Sequence, residues 1–161
     1  GNLGEISINY NTSVGADFAD IENNDAFHAA IEFTVNSTTI QEGVDVKLTR
    51  PFSLIMAGVD PTSFTDGTTS SLTISNVATK FNALENAAYA EESKIFEYTP
   101  NSSTTVPGKS YIMIGMAYVL PLKDTATTVT VRTVNGTQSE ENTVSLNKLE
   151  ANKKYNILSA Q

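Results

Sequence analysis

His28 is the one histidine in the chain, so any Ser–His–acid relay would have to be built around it. It stands in DAFHAAIEF, just ahead of an alternating apolar run, and no G-x-S-x-G elbow exists to hold a serine in a strained turn. His28 therefore reads as structural. One histidine and no cysteine exclude metal sites that need two imidazoles or any thiolate. Oxygen ligands are more plentiful. Asp17, Asp20, Glu22 and Asp25 crowd the stretch DFADIENND, which has the charge for calcium but not the D-x-[DN]-x-[DN]-G order of a calcium loop. They read as solvated loop acids, as do Asp60 and Asp66. Paired carboxylates suit a glycosidase, but among 18 acidic residues some pair is always arguable. No glycine-rich phosphate loop occurs. Tyr10, Phe64, Tyr89 and Tyr98 could form a stacking platform for sugars if they gathered on one face. Core and scattered surface positions are the ordinary places for such residues. The expectation is a protein with no catalytic residue, no cofactor and no metal.

The elements that would position these residues read as strands. In TATTVTVRTVNG, Val129, Val131 and Thr133 fall on one side of an extended chain, and Thr128, Thr130 and Arg132 on the other. The same two-residue period recurs at Ile6, Ile8 and Tyr10, at Ile31, Phe33 and Val35, at Val44, Val46 and Leu48, and at Leu72 and Ile74. Each pattern gives one apolar and one polar row, as antiparallel sheets with a wet face require. FSLIMA from Phe52 and YIMIGMAYVL from Tyr111 are apolar on both faces and read as covered central strands. Pro51 and Pro121 bound them, and Gly115 inside the second predicts a bulge or a close backbone approach. Val77, Phe81, Leu84 and Ala88 share one helical face, so a short helix or helical turn is expected there. Residues 60–71 and 99–110 are rich in turn formers. Asn135-Gly136 suits a hairpin reversal, although the polar residues through Asn142 also allow a longer loop. The fold class expected is all-β, an antiparallel Greek-key β-sandwich with at most one short helix.

With 161 residues the chain suits one domain spanning 1–161, with 1–25 the part least firmly tied to the core. A net charge of -8 repels phosphate backbones, and the only adjacent cations are Lys153 and Lys154, so nucleic acid is not an expected partner. No run reaches the length of a membrane-spanning helix. Residues 1–20 have no basic start followed by an apolar run, and Gly1 stands in place of Met, so the chain is expected to derive from a longer precursor.

Four segments in order, IENNDAFHAAIEFTV, VDVKLTRPFSLIMAGVD, SLTISNVATKFNALE and YIMIGMAYVL, carry a family resemblance. An acidic stretch running into D-A-F, an R-P-F strand, an A-T-K-F-N turn and a doubly apolar strand with tyrosine resemble the fimbrillin-like proteins of Bacteroidales. The resemblance runs from about Ile21 to the end and is closest to that family's C-terminal domain. It implies a transthyretin-like sandwich and a two-domain precursor. It also implies export to the cell surface or outer membrane, where a lipid anchor outside this chain would hold the protein. Partners would be other pilus or surface subunits, joined by strand addition to an open edge, or surface glycans and proteins. The function so implied is a structural or adhesive fimbrial subunit or pilus-associated module, and the alternative is a non-polymerising glycan- or protein-binding module. Arg50 and Pro51 open the R-P-F strand, the arginine expected to pair with a carboxylate and the proline to fix the entry. Asp124-Thr125-Ala126 resembles a short O-glycan acceptor motif of Bacteroidetes, against which a plain turn is the preferred reading.

Overall fold

The computed structural model describes residues 3–15, 18, 21, 25–31 and 45–159. Nine strands lie among them: β1 Glu5–Ser7, β2 Ser13–Gly15, β3 Ser53–Val59, β4 Thr69–Asn82, β5 Ala87–Tyr98, β6 Ile112–Val119, β7 Thr127–Asn135, β8 Gln138–Leu146 and β9 Lys154–Ser159. The one named helical element is a single 3-10 turn at Pro61–Ser63. The strands form a six-stranded sheet in the order β2-β5-β4-β7-β8, with β1 also paired to β4, and a three-stranded sheet in the order β6-β3-β9. The all-β sandwich expected from the alternating patterns is what forms.

The sheets are mixed and not purely antiparallel. β2 runs parallel to β5, and β9 runs parallel to β3. Parallel neighbours need a long crossover, and here the chain passes through β4, β5, β6, β7 and β8 between β3 and β9.

The inner faces meet over Ile55, Leu72, Ile74, Val77 and Val129, all of them fully buried. Fully burying an aliphatic side chain of this kind contributes about 1.5–3 kcal/mol, so this layer supplies the main cohesion. Polar bonds register one sheet on the other. Ser70 Oγ donates to the Ile114 carbonyl, and the Tyr98 phenol donates to the Met116 carbonyl at 2.8 Å. Gly115 meets both expectations for it. The β3–β6 register steps from Ala57–Gly115 to Gly58–Met113, which leaves Ile114 as the bulged residue. A Cβ on Gly115 would lie 2.8 Å from Leu72 Cγ, so the missing side chain is what lets the sheets close.

The helix expected over Val77–Ala88 is corrected to a hairpin. Val77 and Phe81 lie on β4, Leu84 lies in the turn and Ala88 opens β5. A register break between Ile74 and Val77, with Asn76 at φ 56°, inserts residues into β4. The buried positions then fall at Ile74, Val77, Ala78 and Phe81, a spacing that imitates a helical face. The hairpin at Asn135-Gly136 forms in its tight version. Asn135 pairs with Gln138, Gly136 has φ +58°, and β8 begins at once instead of after a loop through Asn142.

Two expected strands fall largely or partly outside the described residues. Phe33 and Val35 lie outside the described residues, and so does Val44. Val46 and Leu48 lie in extended chain with no strand and stay exposed. Of the Ile6, Ile8 and Tyr10 run, only Glu5–Ser7 is strand, and Ile6 turns outward. Beyond it Tyr10 joins the sheets. Its phenol donates to the Ala78 carbonyl at 2.6 Å and accepts from the Leu120 N–H at 3.1 Å.

Burial pushes the Tyr10 phenol from 10.0 up to about 12, and burial raises Tyr98 as well. The stability these phenols contribute is complete below pH 10. As the pH rises further the unfolded chain releases protons that the folded chain keeps, so stability should fall until about pH 12, where Tyr10 ionises in the fold itself. Circular dichroism and phenolate absorbance, followed together up the pH scale, should show the last phenolates appearing with unfolding. Ionisation of Tyr10 near pH 10 within an intact fold would contradict this.

Candidate functional site

Three strands cannot cover six, and the shortfall falls on the side where β8 and β9 end their sheets. β8 exists because the Gly136 turn reverses the chain and sets its register on β7. Glu140 pairs with Thr133, Asn142 with Val131, Val144 with Val129, and Leu146 with Thr127. Val129 and Thr127 are buried, so this row of β8 faces inward. Glu140 and Asn142 are nevertheless exposed, and Val144 and Leu146 only half-buried, because β9 stops short of covering them. The result is a recess of about 100 Å³ lined by Val59, Ile114, Val131, Glu140, Asn142 and Ile157 among others.

The backbone of β9 completes this mouth. Leu54 N–H donates to the Lys153 carbonyl at 2.9 Å, and the parallel register pairs Leu54 with Lys154. In a parallel ladder alternate residues bond to the neighbour, so Tyr155, Ile157 and Ser159 turn their N–H and C=O groups to β3. Lys154, Asn156 and Leu158 turn theirs away from it, toward a side on which no described strand lies. Such an edge is a template for another strand.

The residues singled out by type gather elsewhere or do not gather. His28 exchanges backbone hydrogen bonds with Thr49 at 2.9 and 2.8 Å. Its ring packs edge-on to Phe81, with centroids 4.8 Å apart, and its Nδ1 lies 3.4 Å from Thr49 Oγ1. Among the described residues, the ring's neighbours are thus a phenyl ring and a threonine hydroxyl. Asp17, Asp20 and Glu22 lie outside the described residues. Asp25 forms an ion pair with Arg50 at 2.8 Å, the carboxylate partner expected at the entry to β3, and the guanidinium lies 4.9 Å from the Phe27 ring centre.

Asp60 caps the 3-10 turn, accepting from Thr62 Oγ1 at 2.6 Å and Thr62 N–H at 2.9 Å. Those two bonds hold its carboxyl below the usual range. Asp66 is exposed. Among the described residues no group of three or more His, Cys, Asp or Glu could hold a metal ion.

The four aromatics do not form a platform. Tyr98 is 2% exposed and stacks on Phe18, while Tyr10 is engaged between the sheets. Tyr89 donates to Glu5, which also pairs with Lys80 at 3.0 Å, so this phenol links β5 to β1 across β4. Phe64 packs against the core from its loop. Thr125 donates to the Lys123 carbonyl at 3.1 Å in a turn where Asp124 has φ 54°, which fits the plain turn.

Glu140 and Asn142 were not singled out because the polar residues through Asn142 left a longer loop open beside the hairpin. The signal was there in the alternation of Glu140, Asn142, Val144 and Leu146, which the tight turn puts in step with Val129 and Val131.

The profile of a family of unknown function, DUF6562, matches residues 1–158. A solved structure of a candidate cell adhesion protein from Bacteroides ovatus ATCC 8483 is similar at 9% identity and a TM-score of 0.42. The match covers 71% of this chain but 42% of that one, so this chain spans less than half of that protein's length. No curated protein matches the chain.

Proposed function

The chain belongs to the DUF6562 family, whose function is unknown, and we propose that it is a structural or adhesive cell-surface protein, a fimbrial subunit or pilus-associated module that joins neighbours by adding strands at sheet edges. The observation that carries this is the mouth, where β9 offers outward backbone groups beside the half-covered inner row of β8. Pairing there would satisfy the edge and bury Val144, Leu146 and Ile157 together. Other pilus or surface subunits are the proposed partners. The working parts are backbone and apolar side chains, so the role requires no cofactor and no catalytic residue. No described helix is long and apolar enough to cross a membrane, and attachment at the surface is proposed to come from a lipid anchor outside this chain.

A non-polymerising glycan- or protein-binding module is the second reading. The outer face of the large sheet favours it, where Thr130 and Thr143 hydroxyls lie 2.8 Å apart and Thr128 bonds Ser75 at 2.9 Å in a flat hydroxyl row.

Asn156→Pro separates the two. It removes one outward N–H of β9 and none of its bonds to β3, a place where edge strands accept proline. The variant should fold with stability within about 0.5 kcal/mol of the parent. Antibody labelling in electron microscopy should place the parent chain on surface filaments and find the variant missing from them. Diffuse envelope labelling of the parent would end the assembly reading and leave the binding module.

A further inference from the structure

We propose that Glu140 selects which strands the mouth accepts, admitting an extended segment of another chain that brings lysine or arginine to that position and refusing one that brings an acidic or apolar side chain. The inference rests on the strand-addition reading above and deepens it by naming the chemistry of the partner.

A strand added beside β9 would lie about 4.8 Å from it and about 10 Å above the large sheet. Its inward side chains, at every second residue, would then meet the β8 row in succession: Leu146, Val144, Asn142 and Glu140. Two partners in that row are apolar and half-buried, and one is an amide able to bond to polar groups. The fourth is a carboxylate that makes no ion pair among the described residues, where the pairs are Arg50–Asp25, Lys80–Glu5, Lys94–Glu92 and Lys148–Glu150. Its neighbour Glu141 sits opposite Arg132 across the β7–β8 ladder.

Covering Glu140 with an apolar side chain would strip water from a charge and return nothing, and a second carboxylate would add repulsion. A cation there keeps the charge paired while the apolar end of the strand is buried. A charge turned inward on an edge strand generally deters pairing. At the far end of an otherwise apolar row it becomes a filter, because only the strand that answers it avoids the penalty.

The test uses the full chain and synthetic peptides of about nine residues with valine at alternate positions. The last position of the alternating set is lysine in one peptide and glutamate in the other, each made with the charge at either end to allow both strand directions. Fluorescence anisotropy should show the lysine peptide binding roughly tenfold tighter. The chain's net charge of -8 attracts any cationic peptide, so the decisive readings come from Glu140 variants. Glu140→Gln should bring the two peptides to similar affinity, and Glu140→Lys should invert the order. Equal binding by the parent chain, or a preference that survives both substitutions, overturns the role of Glu140. If Asn156→Pro still abolishes binding of both peptides in that case, strand addition at β9 stands without it. Binding of neither peptide by the parent chain overturns the edge reading and the inference together.

Discussion

Valine at Gly115 should destabilise the protein by about 2–3 kcal/mol, the cost of forcing extra carbon into a packed core. A Cβ at this position would stand 2.8 Å from Leu72 Cγ and Cδ1, well inside contact distance. Leu72 is fully buried and cannot withdraw toward solvent. Leu72→Ala taken alone should cost about 2–5 kcal/mol, because the space it fills lies between both sheets. The sharper expectation concerns the pair. Removing Leu72 makes room for the valine, so the double variant should be more stable than the sum of the two losses predicts, by about 0.5–3 kcal/mol. Urea melts of the parent, both single variants and the double variant measure this directly. Simple additivity would mean that Gly115 and Leu72 do not share the space between the sheets.

Tyr98→Ala should be comparably damaging, at about 3–5 kcal/mol, or a fall of roughly 10 °C in melting temperature. The ring is 2% exposed, stacks on Phe18 with centroids 5.5 Å apart, and ends in a hydroxyl bonded to the Met116 carbonyl of the facing sheet. Tyr98→Phe divides the loss. It keeps the ring and leaves a buried carbonyl without its donor, at a cost of about 1–3 kcal/mol. If Tyr98→Phe were neutral, the phenol would not be fastening β5 to β6. The two experiments probe different parts of the same closure, since Gly115 governs how near the sheets come and Tyr98 fixes them laterally.

That closure has a structural consequence. Gly115 and Tyr98 hold β6 against β4 and β5, so the small sheet is committed to one side of the large one. β9 is thereby held short of β8, and the inner row from Glu140 to Leu146 is left half-covered. The mouth follows from unequal strand numbers, not from a loop that could simply fold over it.

The sequence determined the layers by itself. β-Branched residues at a two-residue period in β4 and β7, doubly apolar runs in β3 and β6, and a turn at Asn135-Gly136 are local signals, and each led to the element it predicted. It also determined the role of Gly115, since a glycine inside an apolar strand has few other uses. Arg50 found the carboxylate expected for it in Asp25. Local reading failed where a bulge changed the period. The insertion after Ile74 made β4 look helical toward Phe81. It stayed undecided at β8 between hairpin and longer loop, because an edge strand with one uncovered face needs few apolar residues. Only the tertiary structure decided which strands pair. The parallel partnership of β3 with β9 joins residues 53–59 to residues 154–159, and pairing that distant leaves no mark on either segment. Strand count per sheet is likewise a property of the assembled whole. From that count come the open mouth and the exposure of Glu140 on the inward row of β8, because a side chain stays open to solvent only where no strand of the facing sheet covers it.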